Sequence, residues 1–348
     1  MLFPLLIFSQ EINSYKDSIP NAIENLYIEN HHKQLNIKFD VTNDRINYGI
    51  SIEDKKASIR TNLKNSYGFV FSYKFASVRL GVRPGLSENE KRNKGESDIF
   101  RLRIKLLFDN WAHKLEYNYH RGFYIENSQD IFPIDNNTNF HIQFPYLTTN
   151  IFTGTSQYKL NKNFSFKAIQ SNTEIQLKSA GTFMPGIGYT YYDVVGANKI
   201  KGLDGEIIQR EEYSDYNGFS VILNAGYYYT FVLNKYWYAN LYVNPGVGIN
   251  FFKTTFYTAS NSSDQSFNET FFSLNSGITG GYNGKKYYFG FEFNYQVSSE
   301  VFDNNNISLQ PKRSNFHVFI GYRFKAPKQI AKPIDLLEEK IPIFKDNQ

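Results

Sequence analysis

Long stretches of this chain alternate between oily and polar residues with a period of two. In KKYYFGFEFNYQV, Phe289, Phe291, Phe293, Tyr295 and Val297 share one parity, while Gly290, Glu292, Asn294 and Gln296 share the other. SNFHVFIGYRF puts Phe316, Val318, Ile320, Tyr322 and Phe324 on one face. DIFRLRIKLLF sets Phe100, Leu102, Ile104, Leu106 and Phe108 against Arg101, Arg103 and Lys105. This period belongs to β-strands with two unlike faces. It predicts strands at 33–41, 45–52, 57–62, 66–74, 75–83, 97–108, 111–127, 141–159, 163–193 (broken), 217–233, 235–256, 268–282, 285–300 and 314–325. Several exceed the roughly five or six residues usual in soluble sheets. They reach the ~10 residues that a tilted membrane-crossing strand needs.

The connections alternate in length. Asp109-Asn110, Leu160 to Asn163, Leu233 to Lys235 and Asn283-Gly284 read as tight turns. Segments 84–96, 128–140, 194–216, 257–267 and 301–313 read as long polar loops. Short turns on one side and long loops on the other mark an outer-membrane barrel. The expectation is an all-β, transmembrane, antiparallel up-and-down β-barrel over 33–325 with about twelve strands, ten to fourteen being allowed. The register is ambiguous at 42–66 and 170–185. An even strand count puts both termini on one side, the periplasmic one.

Composition agrees. The 348 residues include 27 Tyr and 32 Phe, an excess that aromatic girdles at two lipid–water interfaces require. A mean hydropathy of −0.47 fits a wall in which only alternate residues meet lipid. The absence of cysteine excludes a disulfide scaffold and thiol chemistry. The net charge of +5 is dispersed, so no nucleic-acid partner is expected. Residues 1–10, MLFPLLIFSQ, resemble the end of a signal peptide without its basic start. Residues 11–32 form a polar N-terminal segment with one or two expected helical turns in IPNAIENLYIEN. In the tail, 326–348, Pro327, Pro333 and Pro342 exclude a long strand, and 334–340 reads as a short helix. Its apolar residues, among them Ile334, Leu336, Leu337, Ile341 and Phe344, exceed what a solvated linker needs and mark a partner-docking segment.

Three stretches carry a family resemblance. NSYGFVFSYKFASVRLGV resembles a hairpin with a G-x-x-F-S-Y-K-W pattern. Arg121-Gly122-Phe123-Tyr124 resembles a strand end of K-G-[FY]-Y type, with Arg replacing Lys. Gln176-Leu177-Lys178-Ser179-Ala180-Gly181-Thr182 resembles a Q-K-K-S-A-G-S segment, with Leu177 and Thr182 departing from it. The chain thus resembles a family of Bacteroidota outer-membrane barrels of unknown function, over roughly 33–325. The resemblance implies a Gram-negative outer membrane and brings no catalytic residues.

No chemical constellation emerges from the residues themselves. Of the histidines, His31 and His32 diverge on a strand, His141 has Gln143 rather than Ser two residues on, and Ser314 and His317 fall on opposite faces. The folded barrel is therefore expected to carry no outward Ser/His pair of the kind lipid hydrolases need. No metal or cofactor is expected. The Pro185-Gly186 and Pro245-Gly246 pairs read as strand breaks on the wall. The inward parity is the informative surface: Arg101, Arg103, Lys105, Lys114, Glu116, Asn118, His120, Glu292, Asn294 and Gln296 are expected to face the lumen. Charges there must pair or stay hydrated, and about twelve strands make a lumen that side chains largely fill. The expected role is a non-enzymatic subunit of an envelope complex, surrounded by outer-membrane lipid and lipopolysaccharide and joined to other outer-membrane or periplasmic proteins. The complex would serve outer-membrane protein assembly, surface-lipoprotein export or secretion. A narrow, anion-favouring channel is the alternative, and a lipid hydrolase the remote one.

Overall fold

The computed structural model describes residues 26–52, 55–131, 139–202, 204–299, 301–302 and 308–340. The signal-like segment 1–10 and the tail residues Ile341 and Phe344 lie outside them. Twelve antiparallel strands close into a barrel: β1 Gln34–Ile52, β2 Ser66–Tyr73, β3 Ala76–Val82, β4 Asp98–Leu107, β5 Trp111–Ile125, β6 Gln143–Tyr158, β7 Ala180–Val195, β8 Tyr213–Leu233, β9 Trp237–Tyr257, β10 Ser262–Asn283, β11 Tyr287–Ser298 and β12 Ser308–Lys325. Each strand pairs with the next, and β12 pairs with β1 from Phe324↔Leu35 up to Ser308↔Ser51, which seals the cylinder. We call the end where β1 begins and β12 ends the base, and the opposite end the rim.

The oily parity faces outward as expected. Phe100, Phe289, Phe316 and Ile320 are all exposed on the outer wall. An aromatic belt rings the base. Trp111 packs on Tyr158, Trp237 on Tyr282 and Phe289, and Tyr322 on Tyr287 and Phe324. Both tryptophans of the chain sit in it, on the first outward positions of β5 and β9. Among the described residues no helix is long and apolar enough to cross a membrane.

The wall is uneven in height. β8, β9 and β10 contain 21, 21 and 22 residues. Such strands run to roughly 70 Å, well beyond a hydrophobic band about 25 Å tall. β2 and β3 contain only 8 and 7. The polar segments read as loops are shorter than expected, because strands continue through them. β8 begins at Tyr213, β10 at Ser262 and β12 at Ser308. Ser262 to Ser266 are exposed throughout. Above the bilayer both faces are wet, so the ladder continues while the alternation fades.

The low side is roofed by an inserted strand. After β1 the chain returns as Lys55–Arg60, which pairs with the upper half of β1 and then with the top of β5, at Ile59↔Ile125 and Arg60↔Tyr124. β5 therefore changes neighbour, from β4 below to this strand above. The change falls at a bulge between Arg121 and Phe123. Gly122 there has φ 84°, and a Cβ on it would sit 2.0 Å from the Glu96 carbonyl oxygen. The 84–96 segment holds an unanticipated helix, α1 Glu88–Lys94, with a capping box between Ser87 and Glu90, and a single turn, α2 Ser128–Ile131, follows β5. The Ser87 hydroxyl and amide hold the Glu90 carboxyl at about 2, which keeps the cap intact at ordinary pH.

Other expectations are corrected. Residues 28–30 form a strand, and 19–25, the rest of the stretch expected to hold helical turns, lie outside the described residues. β7 and β9 run unbroken through Pro185 and Pro245. Pro185 lies just before the ladder to β6 begins at Gly186, so its missing N–H costs no bond on that side. Opposite Pro245 the ladder from β9 to β8 lapses between Asn224 and Tyr227 while that to β10 continues. The tail helix, α4 Lys328–Lys340, starts six residues earlier than expected and passes through Pro333.

Gly122→Ala places a β-carbon in a left-handed conformation against fixed backbone. A loss of at least about 2 kcal/mol is expected, read as a lower temperature for conversion of the folded to the unfolded band on unboiled denaturing gels.

Candidate functional site

The lumen is the candidate site, and its lower part is not a passage. Between β6 and β7 lies the segment expected to be a tight turn at Leu160 to Asn163 followed by a broken strand. It folds inward instead. It contains α3 Phe166–Gln170 and a short strand Glu174–Gln176, which pairs with Ile28–Asn30 from before β1. Phe164, Phe166 and Ala168 are buried and pack with Leu107, Met184 and Tyr228 of the inner wall. Ile175, Thr173 and Asn172 are wholly buried. The Arg323 guanidinium donates to the Asn172 carbonyl at 2.7 Å and to Asn283 Oδ1 at 2.6 Å. The Asn283 amide donates to the Glu174 carbonyl at 3.1 Å, and Lys167 Nζ meets Asp109 at 2.7 Å. This plug is thus tied to β12, β10 and the β4–β5 turn.

Above the plug sit two tiers of charge. In the lower tier Arg79 of β3 clamps Asp40 of β1, with Nη2 at 2.6 Å from Oδ1 and Nε at 2.9 Å from Oδ2. In the upper tier Asp44 of β1 accepts from Arg101 of β4 and, at 3.1 Å, from Arg313 of β12. Glu116 of β5 meets Arg103 at 2.7 Å and Arg313 at 2.9 Å. Four strands are cross-braced by five side chains. Arg103 and Glu116 are register partners on adjacent strands, so their pairing follows from the ladder itself. The Asp44–Arg101 contact reaches past the short β2 and β3, whereas Arg313 stands on β12, the other neighbour of β1.

The rim has packing of its own on the β5–β6 side. Ala57, Ile59, Phe123, Ile125, Phe144 and Leu147 form a buried apolar cluster where the inserted strand meets β5 and β6. α1 is fastened beside it. The Asn62 amide donates to the Glu90 and Gly95 carbonyls, and the Gln143 amide to the Arg92 carbonyl.

The sequence-derived candidates fall as follows. Arg101, Arg103, Glu116 and Asn118 form the upper tier, where Arg101 Nε donates to Asn118 Oδ1 at 2.6 Å. Lys105 and Lys114 are register partners below it. His120 is wholly buried, with Nδ1 3.4 Å from Thr149 Oγ1, so it stands apart from Glu116 and Asn118. Glu292 lies 3.4 Å from His317, and Asn294 joins Glu292 to Tyr242. Gln296 keeps the inward parity but is exposed. Asp40, Asp44, Arg79 and Arg313 were not among the candidates, although NIKFDVTND alternates Ile37, Phe39 and Val41 with Lys38, Asp40 and Thr42.

One expectation fails outright. An outward Ser/His pair exists: His113 Nδ1 lies 2.8 Å from Ser156 Oγ. The two are register partners on β5 and β6, 43 residues apart, so reading along the chain missed them. The ring stacks on Trp111 and meets Phe108 edge-on in the basal belt. Among the described residues no carboxylate or side-chain amide bonds this imidazole, so the orienting third member of a triad is missing. Among the same residues no group of three or more potential ligands forms a metal site.

The family described as "Domain of unknown function (DUF4421)" matches residues 16–324. The chain belongs to the DUF4421 family. The resemblance read from its motifs thus leads to a family of unknown function, and the DUF4421 chain has an outer-membrane barrel fold. No curated protein matches the sequence. Similar solved structures include the outer membrane protease OmpT from Escherichia coli, with TM-score 0.43, 8% identity and coverage of 85% of this chain and 98% of that one. The translocator domain of autotransporter NalP from Neisseria meningitidis gives 0.36, 10%, 85% and 90%. The Pseudomonas putida toluene transporter TodX gives 0.28, 10%, 84% and 90%. These distances concern architecture only.

Removing the buried Asp44 from the DUF4421 barrel leaves two half-buried guanidiniums short of a partner. Asp44→Ala should cost about 3–5 kcal/mol. Asp264→Ala, which breaks an exposed pair with Lys253, should cost under about 1 kcal/mol. Urea unfolding of the purified protein in detergent compares the two.

Proposed function

We propose that this protein is a sealed, non-enzymatic barrel that serves as a structural subunit of an outer-membrane envelope complex. The observation that carries this reading is the occupation of the lumen by the chain itself: a plug below and braced charges in the middle, with an apolar cluster at the β5–β6 rim. A cylinder so filled passes no bulk solute. Its working parts are then its surfaces.

Two surfaces support a docking role. The tall β8–β10 side projects beyond the lipid band. At the base, α4 is held to the barrel by Asp335, whose Oδ1 lies 2.7 Å from Lys74 Nζ. Ile330 and Leu336 of the same helix stay exposed, at 37% and 46%. In this reading the base, with both termini, faces the periplasm, lipid and lipopolysaccharide surround the outward face, and α4 meets a periplasmic or outer-membrane partner.

Conductance separates a sealed barrel from a narrow channel. Purified protein in planar bilayers should give no steps at high salt, while a variant with residues 164–176 replaced by a short glycine-serine linker should conduct. Steps from the unmodified protein would sink the sealed-barrel reading.

The partner claim has its own test. Gentle detergent extraction from the native membrane should recover the barrel with a stoichiometric partner. Deleting 326–348 should lose that partner while the barrel stays folded. Recovery of the intact barrel alone would reject the complex.

A further inference from the structure

Ion pairing in the lumen is unequal. Arg79, Arg101, Arg103 and Arg313 consume Asp40, Asp44 and Glu116. Three lysines remain between the charge tiers and the plug. Lys105 and Lys114 stand directly opposite each other on β4 and β5, where like charges repel. Lys38 of β1 is buried, rests over the Phe319 ring and reaches Asn172 of the plug at 3.4 Å. Among the described residues no carboxylate oxygen lies within 4.0 Å of these ammonium groups. Glu292 is the remaining inward carboxylate beside them, and it engages His317 and Asn294. Three ammonium groups therefore share one carboxylate in a place where uncompensated charge is costly.

A cavity of about 70 Å³ opens beside this cluster, lined by Lys38, Lys105, Arg79, Glu292, His317 and Asn315 among others. It has room for one tetrahedral oxyanion, or about two waters. Two buried polar atoms on its wall lack partners: the Nδ2 donor of Asn315, a residue 8% exposed, and the Oε1 acceptor of Gln170, at the end of α3 in the plug. One orphan gives a proton and the other takes one. A fully deprotonated anion satisfies only the first. An oxyanion that keeps one hydroxyl satisfies both.

We propose that the lumen holds a small, protonated oxyanion of the hydrogen phosphate class between Lys38, Lys105 and Asn315, with its hydroxyl toward Gln170. The anion neutralises the lysines and joins the β4–β5 wall to the plug. This site is independent of the docking role: a barrel with no partner still has the surplus charge.

The test uses the full chain purified in detergent. Protein is denatured and assayed for inorganic phosphate, directly and after acid digestion, which also frees lipid phosphate. In parallel, protein exhaustively dialysed without phosphate is titrated calorimetrically with inorganic phosphate and with sulfate. The expected result is about one inorganic phosphate released per chain, or saturable phosphate binding with sulfate at least roughly tenfold weaker. Lys105→Met and Lys38→Met, made singly, should each weaken binding about tenfold, the loss of one charge-assisted hydrogen bond. The rim variant Lys253→Met should not. Folding of each variant is checked on unboiled gels. Should the lysine variants fail to fold, Asn315→Leu, which changes no charge, takes their place. Absence of both released and titratable phosphate, phosphate appearing only after digestion, equal binding of sulfate, or unchanged binding in the folded variants would overturn the proposal.

Discussion

A backbone amide in hydrocarbon finds its partner on a neighbouring strand or not at all. Closure of the sheet, made here by β12 against β1 along most of their length, is the constraint on which the rest depends. Once twelve strands close, the interior is narrow. Inward side chains from separate strands then come within reach of one another, and long Arg side chains cross the space between walls. The braces between Asp44, Glu116 and three arginines follow from that narrowness. So does the buried plug, which needs only α3, one short strand and a few anchoring hydrogen bonds to fill the base.

The unequal strand lengths have a related consequence. β2 and β3 stop low, and their absence above would leave a gap with unpaired edges in β1 and β5. The inserted strand Lys55–Arg60 covers both edges at once. The transfer of β5 from one neighbour to another needs a backbone that bends sharply beside Glu96, which is why glycine stands at 122. α1, capped at Ser87, covers the remaining space. Roof, braces and plug are thus three answers to one closed but uneven cylinder.

Much of this was legible along the chain. The outward positions, the approximate strand count and most inward candidates follow from parity, since a strand in lipid shows one oily and one polar face. The two regions whose register was ambiguous, 42–66 and 170–185, contain the inserted strand and part of the plug. Both leave the simple wall, so their residues no longer alternate against lipid. Strand ends were misjudged because alternation fades where both faces are wet, as in Ser262 to Ser266. The proline–glycine pairs misled because proline interrupts a ladder only where its nitrogen would have donated.

The sequence by itself determined the barrel and its outward face, because those depend on a local period of two and on residue type. Tertiary structure alone decided which charges meet. Asp44 and Arg313 are 269 residues apart in the chain, and no local pattern links them. His113 and Ser156 are neighbours only through register. The lysines left without carboxylates became visible only after the arginines had taken theirs. Pairing is a property of the closed cylinder, where register and lumen width set the distances between side chains.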